Sequence, residues 1–390
     1  MAINYQEVYQ KIKEIGAGVR ERKKTLEARR EQARDLLQSY AHELDALRDK
    51  VRRAHEADPN LRCALPLNEA LDAHFPVPES IPDATLIAAD GSQIFPDRHN
   101  QVHYYLINVG SIAMQIGSGK TPDIFTDTKL HFLDEFDDTY FSESQIALQR
   151  DVAERKKLLE ISDNYSGTII ALTEGQIELW GTTDSENRKE FEKNLQDYLN
   201  VLDELRQRDV ITAGYVDKPG ANWVTRLLEI ASLSKDEMGN LKKHHPLLGI
   251  TDRWLFSQIL PASSRSAVFT LQSKSAETYT GSLAIHFFYL NIGDEHKPNI
   301  VRVDLPFWVA NDNQALNILH KALIDQSKIL GYKPFPYILH RAHEIAVVSH
   351  QEKMQIDQML ATEIINNDGE LEEISGKQSA KNLPGRMSYK

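Results

Sequence analysis

The chemistry in this sequence starts at Asp90. It ends an apolar run, Leu86-Ile87-Ala88-Ala89, and Gly91 and Ser92 follow it at once. Four consecutive residues without a polar group predict a buried strand. The carboxylate is therefore delivered at the end of a core strand, where an anion is costly unless something cationic pairs with it. A divalent metal is a natural partner, because hard cations take oxygen ligands. Gly91 lets the backbone turn tightly or approach a ligand closely. Asp-Gly is equally a turn dipeptide, so this stretch alone reads as a strand-end turn or as a metal site. A second stretch, Gly167-Thr168-Ile169-Ile170-Ala171-Leu172-Thr173-Glu174-Gly175, repeats the logic. If the two strands are parallel neighbours, Asp90 and Glu174 come together, and they repel each other unless a cation sits between them.

These residues need elements to hold them. Residues 142–161 predict a helix with Ile146, Ala153 and Leu158 on its apolar side. Arg150 and Glu154 lie four apart on it and share one face, as a surface ion pair or as part of the site. His343 sits on a late helix, 338–355, three residues after His340. A histidine among apolar neighbours reads as packed or as functional. His103 to Val109 and Ser111 to Ile116 predict two strands that form a meander with the first. Residues 185–208 predict a helix with Phe191, Leu195, Leu199 and Leu202 on one face, and residues 210–216 a third buried strand. Residues 252–260 predict a short helix with Asp252 as its N-cap. A further β segment covers 265–271, 282–291 and 300–309, and a helix covers 317–330.

Composition sets the bounds. The 390 residues allow two or three domain-sized units, or one elaborated domain. No apolar run approaches a membrane span, and the polar start carries no cleavable signal. The single cysteine, Cys63, excludes an internal disulfide and a Cys-rich zinc site. These features fit the cytoplasm. A formal net charge of −12 argues against a surface coated in basic patches, though not against DNA bound through a local one. Gly117-Ser118-Gly119-Lys120-Thr121 mimics the end of a phosphate-binding P-loop. Met114 stands where the motif needs its first glycine, and Pro122 stops the helix that should follow. A loop between strands is the better reading.

Residues 1–56 predict a helical, coiled-coil arm, with Ala33, Leu37, Tyr40, Leu44, Leu47 and Val51 as its seam. It is either a dimer or partner arm or a helix packed on its own domain. The main domain runs over 57–350, and 351–390 holds a helix end and a disordered tail. Lys218, Arg226, Arg253 and Arg265 are candidate phosphate contacts. Trp223 and Trp254 are candidates to stack on bases, with core packing as the alternative.

Strand, strand, strand, helix, strand, helix, strand, helix is the order of an RNase H-like α/β fold: a mixed sheet flanked by helices, here with an N-terminal helical arm and an additional β segment. The blocks Ala89-Asp90-Gly91-Ser92, Arg150 to Glu154, Leu172-Thr173-Glu174-Gly175, Gly214-Tyr215-Val216-Asp217-Lys218-Pro219, Asp252-Arg253-Trp254-Leu255-Phe256, Val301-Arg302-Val303-Asp304-Leu305-Pro306 and Phe335-Pro336-Tyr337 leading to Ala342-His343-Glu344 follow one another over about residues 85 to 350. In this order they resemble the NurA nucleases. The resemblance implies a manganese-dependent DNase, with magnesium as the other candidate ion, having 5′–3′ exonuclease and single-strand endonuclease activity. It implies a homodimer that works with a HerA-type hexameric translocase in DNA end processing or defence. It places Asp90, Glu154 and Glu174 as metal ligands and His343 as a fourth catalytic group. Two positions depart from the family pattern: Glu174 stands for the usual Asp, and Phe335 for a common Tyr, with Tyr332 or Tyr337 as substitutes. The alternative reading is a catalytically degenerate dimeric DNA-clamp or adaptor subunit of the translocase.

Overall fold

The computed structural model describes residues 3–97, 103–132, 142–181, 188–331 and 333–367. The chain divides into two compact units, one of residues 1–81, 175–178 and 213–336, the other of 82–174, 179–212 and 337–390. The tail from 368 onward lies outside the described residues.

The first unit opens with helices α1 (Tyr5–Ala17), α2 (Val19–Tyr40) and α3 (Leu44–Ala57), then strands β1 (Cys63–Pro66) and β2 (His74–Phe75). The second unit supplies β3 (Ala84–Ile94), β4 (Tyr104–Gln115), β5 (Asp123–Phe132), α4 (Glu143–Ser162), β6 (Thr168–Glu174), α5 (Arg188–Gln207) and the first two residues of β7 (Ile211–Val216). The chain then returns to the first unit for α6 (Trp223–Ser232), α7 (Asp252–Phe256), β8 (Arg265–Ser266), β9 (Phe269–Gln272), β10 (Ile285–Asn291), β11 (Ile300–Pro306), α8 (Phe307–Ala310) and α9 (Asn313–Ile329). It closes in the second unit with α10 (Tyr337–Ala346) and α11 (His350–Asn366).

In the second unit the strand order is β5-β4-β3-β6, with the start of β7 beyond β6. The first three strands are antiparallel and β6 runs parallel to β3. Thr212 Oγ1 donates to the Ala171 carbonyl at 3.2 Å and ties the start of β7 to β6. This is the mixed, helix-flanked sheet of an RNase H-like fold. Two details differ from the reading of the sequence. The segments 103–109 and 111–116 are one strand, β4, because Gly110 continues the ladder opposite Asp90. The third meander strand is instead β5. Most of its residues are exposed, so no apolar period marked it.

Helices lie on both faces of β3. α4 begins at a capping box, with Ser142 and Gln145 satisfying each other's backbone donors. Ile146, Leu148, Val152 and Leu158 are buried. The last helix is broken: α10 ends at Ala346, and Ser349 starts α11 with a second capping box through Glu352. The buried face of α5 runs through Asn194, Tyr198, Val201, Leu202 and Leu205, one step round from the predicted stripe.

In the first unit the strand order is β1-β9-β10-β11-β7, all antiparallel, with β8 on β10 and β2 on β8. The N-terminal seam is covered from within: Ala33, Leu37, Leu47, Val51 and Ala54 are buried where α2 and α3 pack on α6. The N-cap of α7 is Thr251, not Asp252. Fully buried Asp252 instead accepts the Val224 and Thr225 amides at 3.0 and 2.8 Å and so caps α6, whose own N-cap, Asn222, makes no side-chain bond. No helix among the described residues is long and apolar enough to cross a membrane.

Candidate active site

Side chains alternate across a strand, and β3 uses this to present two different neighbours. Asp90 and Ser92 face α10. The Asp90 Oδ2 lies 2.7 Å from Nδ1 of His343. Ser92 Oγ and Asn108 Nδ2 donate to the Ala346 carbonyl at 2.5 and 2.8 Å. Gly110, opposite Asp90, receives the end of α10 so closely that a Cβ would stand 2.3 Å from the Ala346 amide nitrogen. Gly91 faces the other way, toward α4. A Cβ there would lie 2.5 Å from Arg150 Cγ and 2.7 Å from Glu154 Oε1. The glycine after Asp90 is therefore a close-approach glycine for α4 rather than a turn, and the strand continues to Ile94.

Glu154 is 6% exposed. Arg150 Nε stands 3.3 Å from its Oε1. The other arms of this guanidinium reach Asp151 Oδ1 at 2.6 Å and Gln93 Oε1 at 3.0 Å. Burial first, then the nearby Asp151 and Asp90 charges, push the Glu154 carboxyl well above the usual carboxylate range, against the pull of Arg150. Burial also raises Asp151, with Arg150 opposing. Next along the helix, Arg155 is 2% exposed and donates to Thr212 Oγ1 at 3.0 Å, which pins α4 to the sheet.

Glu174 lies one residue past the last paired position of β6, level with Asp90 on β3, and is exposed. Of the residues expected at the site, Asp90 and His343 touch, Glu154 approaches from the opposite face of β3, and Glu174 stands at the neighbouring strand end. His340 is engaged by Glu344 at 3.5 Å. Asp151 and Gln93 went unread in the sequence. For Asp151 the available signal was its place three residues before Glu154, which puts both on one helix face.

The predicted DNA contacts separate. Lys218 is exposed and Arg253 half-buried. Arg226 and Arg265 are corrected to structural cations. Arg226 is buried, bonded to Glu229 Oε2 and the His244 carbonyl at 2.6 Å and to the Leu241 carbonyl at 2.7 Å. Arg265 is buried between Glu69, the Ser266 carbonyl and the face of Phe75. Burial keeps both away from a phosphate. Trp223 is likewise a core residue, with Arg302 4.0 Å and Arg62 4.9 Å from its ring. Trp254 has Arg30 and Arg34 over its ring, at 5.1 and 5.9 Å.

A model of the NurA domain matches residues 84–348 of this chain. The chain belongs to the NurA domain family. Among solved structures it is similar to the NurA nuclease from Sulfolobus solfataricus, at 14% identity and a TM-score of 0.49, over 76% of this chain and 88% of that one. It is similar also to the catalytic domain of human Endonuclease V, at 12% identity and a TM-score of 0.32, over 81% of this chain and 98% of that one. Drosophila Piwi matches at 9% identity and a TM-score of 0.30, over 68% of this chain and 30% of that one. The search of curated proteins found no match. The matched NurA segment includes Asp90, Arg150, Asp151, Glu154, Glu174 and His343. Within this NurA domain, Phe335 packs edge-on against Tyr215 at 5.4 Å and offers no hydroxyl. Tyr337 is half-buried at the start of α10, and Tyr332 lies outside the described residues.

No three His, Cys, Asp or Glu side chains among the described residues are arranged to hold a metal ion as they stand. The donor chemistry nonetheless fits one. Asp90, Asp151 and Glu154 are hard oxygen donors, and burial first, then the Asp151 and Asp90 charges, disfavours the charge on Glu154, which a cation would restore.

Proposed function

We propose that this NurA-domain chain is a metal-dependent deoxyribonuclease that cleaves phosphodiester bonds by two-metal chemistry, with manganese as the resident ion and magnesium as a substitute. One observation carries the reading: on the central strand Asp90 meets His343 on one face, and its neighbour Gly91 meets the Arg150–Glu154 pair on the other. Asp90, Glu154 and Glu174 would hold the ions. Bound there, divalent ions lower the pKa of a water and offset the charge of the phosphate. Asp90 fixes the His343 ring through Nδ1, which leaves Nε2 to hand a proton to the departing oxygen. Lys218 and Arg253 are the remaining candidates for phosphate contacts. The fuller activity is 5′–3′ exonuclease and single-strand endonuclease cleavage by a homodimer, fed by a HerA-type hexameric translocase in DNA end processing or defence. Support for these finer points comes from the family resemblance.

The test is degradation of linear single- and double-stranded DNA with manganese by the wild type and Asp90→Ala, with and without a HerA-type motor. Wild-type cleavage that falls by on the order of a thousandfold in Asp90→Ala supports the nuclease. A folded wild type that cleaves nothing in any condition overturns it. Phe335 and Glu174 would then mark the adaptor reading, a DNA clamp coupled to the motor.

A further inference from the structure

Arg150 is a guanidinium in direct contact with the carboxylates beside β3. Its Nε and Nη2 both donate to Asp151 Oδ1, at 3.2 and 2.6 Å, its Nη1 donates to Gln93 at 3.0 Å, and its Nε also lies 3.3 Å from Glu154 Oε1. Its methylenes lie against Gly91, where a Cβ would leave no room for them. The side chain is 28% exposed, so the charge is partly shielded from water but is not walled in. Arg155, the next arginine, is fully buried and occupied by Thr212, so it cannot exchange partners. Asp151 and Glu154 are the carboxyls Arg150 touches, and Arg155 adds a second positive charge that acts on both from its fixed place.

We infer that Arg150 is a placeholder cation: it neutralises Glu154 and Asp151 while no metal is bound, and a divalent ion must displace it from Glu154 to load the site. The inference rests on the metal site proposed above. A carboxylate oxygen already engaged by a guanidinium cannot accept a divalent ion at full strength, because the two cations repel at that range. The placeholder has a structural use. A buried Glu154 with no cation beside it is a desolvated charge, and Arg150 supplies one from the same helix face, four residues earlier. An arginine suits the task, since its fork can keep both bonds to Asp151 while it gives up the contact with Glu154.

The inference predicts a gain in metal affinity on removal of a charge, which a purely architectural residue would not give. The experiment is isothermal titration calorimetry of manganese chloride into the metal-free full-length chain. Wild type, Arg150→Met, Arg150→Gln and Arg150→Lys are compared, with circular dichroism to confirm folding. Arg150→Met keeps the aliphatic packing on Gly91, and Arg150→Gln keeps a polar tip should the methionine variant fail to fold. Either should bind manganese about tenfold more tightly than the wild type and melt at a lower temperature without metal. Arg150→Lys keeps the charge and should stay within about threefold of the wild type. Equal or weaker binding by both neutral variants overturns the placeholder, and Arg150 is then an orienting residue in a metal site that still stands. Absence of manganese binding in the wild type and in every variant overturns the metal site itself, and the placeholder with it.

Discussion

At the scale of single residues, burial decides what a charge can do here. Arg226 and Arg265 look like phosphate contacts in a sequence, yet each is enclosed by acids and carbonyls of its own unit. Arg150 carries the same type of charge at a place where its partners can be exchanged. His320 shows the same rule for a titratable group. It is fully buried, and its Nε2 lies 2.9 Å from the Ser263 carbonyl. A carbonyl only accepts, so Nε2 carries the proton, and Nδ1 has no partner within the described residues. Burial pulls the ring from its ordinary 6.5 down to about 4. Between those values the unfolded chain binds a proton that the folded chain refuses, so stability falls as the pH drops. The wild type should lose on the order of 3 kcal/mol across this window from His320 alone. His320→Gln, which keeps a donor for Ser263, should lose correspondingly less. Urea melts at pH 7 and pH 4.5 would measure the difference, and equal losses would refute it.

At the scale of elements, the site depends on how closely two helices approach one strand. β3 offers glycine to α4 at Gly91 and, through its partner strand, glycine to α10 at Gly110. Gly110 needs no special backbone angle; it needs the missing Cβ, because the Ala346 amide stands 2.3 Å from where that atom would be. Gly110→Ala should therefore push the end of α10 off the sheet. The expected cost is about 1–3 kcal/mol, the usual penalty of overpacking a core. The same shift moves His343 away from Asp90, since both sit on this interface. Thermal melting and the DNA-cleavage assay would report the two effects, and unchanged values in both would refute the argument. α4 is held by its buried apolar residues, by Arg155 on Thr212 and by its capping box.

At the scale of the molecule, the N-terminal segment divides into parts with different duties. α2 and α3 belong to the core of the first unit, where Ala33, Leu37, Leu47 and Val51 are buried. None of the residues of α1 is buried, and Tyr5, Val8, Tyr9, Ile12 and Ile15 are all exposed. Removal of residues 1–17 should shift the melting temperature by less than about 4 °C, the effect of roughly 1 kcal/mol in a unit of this size. Removal of residues 1–56 should abolish cooperative unfolding of the first unit. Calorimetry on the two truncated chains would separate these outcomes, and a stable 57–390 chain would overturn the assignment.

What the sequence determined by itself was local. Apolar runs at 86–89 and 169–172 announced the buried strands, the carboxylate that follows the first run announced Asp90 though its strand goes on to Ile94, and ordered blocks pointed to the family and to an RNase H-like sheet. Each rests on residues adjacent in the chain, so a period or a spacing reveals it. Contacts made far along the chain were decided only by tertiary structure. Asp252 caps a helix 28 residues before it, Gly110 serves a helix more than two hundred residues later, and β5 is a strand only because β4 is beside it. The partners of Arg150, Arg226 and Arg265 were equally hidden. The value of a charge is set by the dielectric and by the groups around it, and neither exists until the chain has folded.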